Sequence, residues 1–114
     1  MKIVINDDWG GFNLSDAAIE RYAELAGITL IGRADDKFSW THWYQDQVDD
    51  EHYWSERDIA RDDPHLVQVI EELGAAANGD HASLKIVNVP DDVVWDIVEY
   101  DGREHVAERH RTWS

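Results

Sequence analysis

Apolar positions along this chain fall into short runs whose spacing changes from two to between three and four. Ile3, Val4 and Ile5 run between Lys2 and Asn6, predicting a strand over 2–6. Residues 7–14 then read as a loop, with Gly10-Gly11 open to positive φ. Ser15 suits a helix N-cap and Asp16 its first turn. Ala18, Ile19, Tyr22, Leu25 and Ala26 make a helical stripe, and Gly27 is the expected stop. Residues 28–31 read as a second strand. Alternation at Phe38, Trp40, His42 and Tyr44 predicts another over 38–44. The acidic stretch 45–58 reads as a solvated loop, pinned to the body by Tyr53-Trp54.

Asp63-Pro64 opens the second helix, because Asp caps and Pro fits the first turn. Leu66, Val69, Ile70 and Leu73 form its buried face, and it is expected to reach Ala77. Strands follow at 84–89 and 93–100, the latter with Val93, Trp95 and Ile97 on one face and Val94, Val98 and Tyr100 on the other. Asp101-Gly102 is a two-residue hairpin signal, and the return strand is expected over 103–108. The order predicts an α+β fold: a mixed, mainly antiparallel sheet with two helices packed on one face. Residues 1–114 read as a single domain with a variable, acidic, Trp-rich region at about 33–62.

Charge narrows the environment. The chain has 114 residues and a net charge of −15, with 16 Asp against 9 Glu and only three Lys. Such a surface repels itself in dilute buffer and is relieved by salt, so it reads as halophilic adaptation ahead of nucleic-acid mimicry. Direct binding to duplex nucleic acid is not expected, because no basic stripe exists to displace counterions. There is no cysteine, hence no disulfide or thiolate site. The opening residues do not form a signal peptide, and no apolar run approaches a membrane span. The expected location is the cytoplasm.

Two ends of the chain carry a resemblance. Lys2-Ile3-Val4-Ile5-Asn6, Gly10-Gly11-Phe12 and Leu14-Ser15 stand at the start. Asp62-Asp63-Pro64, Glu71-Glu72-Leu73-Gly74, Ala77-Asn78-Gly79, Glu99-Tyr100-Asp101-Gly102, His105-Val106-Ala107-Glu108 and His110-Arg111-Thr112-Trp113 stand in the second half. Together they resemble a family of small uncharacterised proteins of tailed phages and prophages. The resemblance covers about two-thirds of the chain and implies a viral or proviral accessory gene. It brings no activity, cofactor or site residue with it.

Four residue sets could carry chemistry. Trp9, Gly10, Gly11, Phe12 and Ser15, with Arg109, His110, Arg111 and Trp113 from the tail, could cradle a small anionic, nucleotide-like ligand. The same glycines could equally make only a tight turn. Asp7, Asp8, His105 and His110 could converge as metal ligands, or as an acid–base pair, though their spacing demands neither. Trp40, Trp43, Tyr44, Tyr53 and Trp54 crowd a polar region, as interface anchors do, or they form a satellite core. The leading expectation is a non-enzymatic viral accessory protein that captures a small anion or a host defence protein. A virion component of capsid or tail is the alternative, and a small Asp/His hydrolase the third. No metal or other cofactor is expected. A homo-oligomer remains open.

Overall fold

The computed structural model describes residues 1–37 and 40–109. Strand β1 (Lys2–Asn6) is followed by helix α1 (Asp16–Ala26), then β2 (Leu30–Ala34), β3 (Thr41–Gln45) and β4 (Tyr53–Trp54). Helix α2 (Pro64–Leu73) leads to β5 (Leu84–Asn88), β6 (Trp95–Tyr100) and β7 (Arg103–Glu108). The fold is α+β, and every described strand pair is antiparallel. The strands divide among three small sheets, ordered β1-β5, β2-β3-β4 and β6-β7. No described helix is long and apolar enough to cross a membrane.

Local chemistry sets the element ends. Ser15 accepts from the Ala18 amide to cap α1, and Gly27 ends it at φ 71°. The amides of both Gly27 and Ile28 donate to the Ala23 carbonyl. That closure uses residues 27–28, so the strand expected at 28–31 begins at Leu30 instead. Asp63 caps α2 with Pro64 in its first turn, as its sequence predicts. The helix stops at Leu73 rather than Ala77, because Gly74 turns to φ 56° and a 3-10 turn covers Gly74–Ala77. Asp101 and Gly102, at φ 50° and 88°, make the predicted hairpin turn between β6 and β7.

The sheet β1-β5 has two covered faces. Val4 packs with Leu84 and Ile86 into a core shared by Ile19 and Tyr22 of α1 and by Leu66 and Ile70 of α2. Ile3 and Ile5 point the other way and are also buried. Strand β7 contacts β1 from outside its sheet, and a groove between them is lined by Ile5, Val87 and Val106. Exposed Val94, Val98 and Tyr100 show which face of β6 is turned outward.

A buried polar cluster fastens this hairpin to the body. Glu104 is 8% exposed and holds the Arg61 guanidinium at 2.6 and 2.9 Å. Its Oε1 also accepts the Asn6 amide at 2.8 Å. Asn6 is fully buried, donates through Nδ2 to the Asp8 and Gly102 carbonyls, and accepts the Ser83 amide on Oδ1. Arg61 exchanges backbone and side-chain bonds with Val4 and lies 3.7 Å from the Phe12 ring centre. Charges are tolerated here because each is paired and hydrogen-bonded.

Candidate functional site

The acidic stretch 45–58 runs mostly through bends and 3-10 turns, and Tyr53-Trp54 pins it to the body as expected, by pairing with β3. Asp49 caps a 3-10 turn over Asp50–His52, which delivers Tyr53 and Trp54 to β4. Trp43 pairs with Trp54 and Tyr44 with Tyr53. Strand alternation then sorts the aromatic residues. Trp43 and Trp54 face inward, Trp43 in the core and Trp54 against Tyr22 of α1 at 6.2 Å between ring centres. Tyr44 and Tyr53 meet edge to face on the other side at 5.7 Å, joined by His42 and then Trp40. Trp40 and Tyr53 remain 51% and 56% exposed. The proposed partner-binding set is therefore split: Trp43 is core, Trp54 an anchor, and Trp40, Tyr44 and Tyr53 a surface row.

Where β3 begins and β4 ends, an open cleft of about 670 Å³ separates this sheet from the start of α1. Thr41 donates to Asp16 Oδ2 at 2.9 Å, tying β3 to the helix. The opposite wall is Asn78-Gly79-Asp80, held by a Gly79 amide bond to the Asn13 carbonyl. A Cβ on Gly79 would lie 2.3 Å from Asn13 Oδ1, so this close approach requires glycine. Asp16, Glu56 and Asp80 bring carboxylates to the cleft. Arg57 also lines it, and its guanidinium makes no ion pair among the described residues. Trp43 contributes to the floor, and its buried indole Nε1 has no hydrogen-bond partner among the described residues.

The residues expected to cradle an anion are dispersed. A Cβ on Gly10 would lie 2.1 Å from the His81 carbonyl oxygen, and one on Gly102 only 2.6 Å from the Gly11 amide. These glycines let backbone meet backbone, with Gly11 at φ 89°. Phe12 is buried beneath Arg61. Ser15 spends its hydroxyl on Ala18 and on the Ala76 carbonyl, and it lies in the cleft instead. Trp9 is exposed against Tyr100 and Arg103 at the hairpin tip. Arg109 is ion-paired with Asp96 seven residues beyond Gly102, roughly 20 Å along the strand. The described members thus form no single site; His110, Arg111 and Trp113 lie outside the described residues.

Asp7 and His105 do line one groove, of about 430 Å³, between β1-β5 and the hairpin. Asp7 is held there by Arg103 at 2.8 Å and Lys85 at 3.4 Å. The hydrogen bond from Arg103, reinforced by both positive charges, keeps its carboxyl below the usual range. A carboxylate so paired is a weak base. Asp8 accepts the Trp9 amide and closes the turn. Among the described residues no group of three or more His, Asp or Glu is arranged to hold a metal.

Sequence reasoning missed Asp16, Glu56, Arg57 and Asp80 at the cleft. Each reads locally as an ordinary surface charge; the pairing of 13–15 with 77–79 brings Asp16 and Asp80 together, and β3 with β4 brings Glu56 and Arg57 to them. Comparison with protein-family models, curated protein sequences and solved structures finds no match to this chain.

Proposed function

We propose that this chain is a non-enzymatic binding protein that engages its partner at the cleft between α1 and the β3-β4 pair. The observation that carries the reading is the exposed aromatic row of Trp40 and Tyr53 at the mouth of a cleft that also presents Arg57, without an ion pair among the described residues. Large aromatic residues held at a polar rim are effective anchors, because they bury much area with little loss of side-chain freedom. The residue resemblance to tailed-phage and prophage proteins supports a viral accessory role. The excess of Asp over Lys supports action in a salt-rich host cell.

Native mass spectrometry on protein recovered from its producing cells tests the reading. The wild-type chain should retain a mass increment that a W40A/Y53A variant loses. Identical spectra for the two proteins would count against the cleft as the site.

A second reading, as a virion component, draws support from a different surface. Trp9, Val94, Val98 and Tyr100 are exposed on and beside the outer face of the β6-β7 hairpin. Contact with another chain would cover them. Sedimentation in high salt separates the two, since this reading requires self-association or assembly onto particles.

A further inference from the structure

We infer that the cleft recognises an extended peptide segment bearing lysine or arginine on a partner protein, an inference that rests on the cleft being the binding site. Its charged lining consists of three carboxylates, on Asp16, Glu56 and Asp80, against the single guanidinium of Arg57. The chain as a whole carries −15. A cation is therefore favoured at contact within the cleft, where screening by salt is weakest, and an anion is opposed there. The aromatic groups act in the same direction. Trp40 and Tyr53 are more than half exposed, and aromatic faces attract ammonium and guanidinium groups.

Shape selects a segment over a lone ion. At about 670 Å³ the cleft is in the range that accommodates a ligand of many atoms, and it is walled by α1, β3, β4 and the 78–80 turn. A peptide also answers the remaining group. Its carbonyls can accept from the Arg57 guanidinium, which makes no ion pair among the described residues. A neutral oligosaccharide would stack on the same rings but would draw nothing from the excess of carboxylates.

Fluorescence anisotropy with labelled hexapeptides tests this in 0.15–1 M salt. One probe alternates Lys or Arg with small residues; a second carries Gln at the same positions. The basic peptide should bind at least tenfold tighter than the Gln peptide. E56Q/D80N should weaken it at least fivefold, while D92N/E108Q, an equal charge change outside the cleft, should shift it by less than twofold. Circular dichroism confirms that each variant folds. On nitrogen-edited NMR spectra the indole N–H resonance of Trp40, which lines the cleft, should move as the basic peptide is added. Equal effects of the two charge pairs would overturn the inference, because they would mean diffuse attraction to an acidic surface. Equal binding of the Gln peptide, or tighter binding of a neutral chito-oligosaccharide, would overturn it too. If either of those neutral probes binds as tightly as the basic peptide and W40A/Y53A abolishes that binding, the basic specificity fails while the cleft survives as the site. If W40A/Y53A leaves binding unchanged, the cleft reading fails with it.

Discussion

The Asn6-Arg61-Glu104 cluster and the Trp40-Tyr53 row invert the usual placement of side chains. One buries an amide and a carboxylate and half-buries the guanidinium paired with them; the other leaves a tryptophan and a tyrosine more than half exposed. The difference lies in what each set still lacks. In the cluster, Glu104 takes up both Arg61 and the Asn6 amide, and Asn6 uses its donor and its acceptor. At the cleft, Arg57 has no ion pair among the described residues, and Trp40 and Tyr53 present open ring surface. Satisfied polar groups fasten a fold together, while unspent capacity beside exposed rings is capacity for binding.

Substitutions can break that comparison, and the largest loss of stability should come at the cluster. E104Q leaves the Arg61 charge without its counter-ion and should cost about 3 kcal/mol in urea unfolding. R61M/E104Q should recover part of that loss, because the unpaired charge is gone while the introduced side-chain amide can still accept from Asn6. A double variant less stable than E104Q would mean that Arg61 acts through its packing on Phe12. N6A removes three side-chain hydrogen bonds from a fully buried site and should cost about 2 kcal/mol.

Between the two regions stands Tyr22, which touches Trp54 and donates to Asp63 Oδ2 at 2.8 Å. Y22F should cost about 1 kcal/mol at neutral pH by calorimetry. Burial, and then the bond to Asp63, push the Tyr22 phenol up from 10.0 to about 12. The folded state thus holds this proton more tightly than the unfolded chain does. Its stabilisation is complete below pH 10 and is lost as pH rises from 10 to 12, by about 2–3 kcal/mol. Y22F should flatten the stability profile across that window. The smallest effect on folding belongs to W40A/Y53A, which should cost about 1 kcal/mol or less while removing cleft binding. A loss as large as that of E104Q would make the row a structural cluster and end the contrast.

How far these regions are legible in the sequence follows from the range of the interactions behind them. Strands 2–6 and 103–108, the caps at Ser15 and Asp63, and the Asp101-Gly102 turn depend on neighbours within a few residues, and the structure contains each of them. The acidic 45–58 stretch is legible as a loop pinned at Tyr53-Trp54, but its strand partner is not, because β3 lies about ten residues away. Glu104 reads as a solvent-facing strand residue, since its partner lies 43 positions away. Among the described residues the expected anion cradle does not assemble, for the same reason. Gly10 and Gly11 have a local signature, but their role is set by His81 and Gly102, far along the chain.

The hairpin β6-β7 has one more consequence. It forms a two-stranded sheet of its own and reaches Asn6 of β1 through a side chain rather than a strand ladder. Such a unit can detach without opening the β1-β5 sheet, yet an isolated hairpin is barely stable in water. Its amides should therefore exchange with deuterium as one group and faster than those of β1 and β5. The Asn6 amide should keep their company rather than that of its own strand. E104Q should speed this group more than it speeds the amides of β1 and β5, making Glu104 the latch on a separately opening part of the molecule.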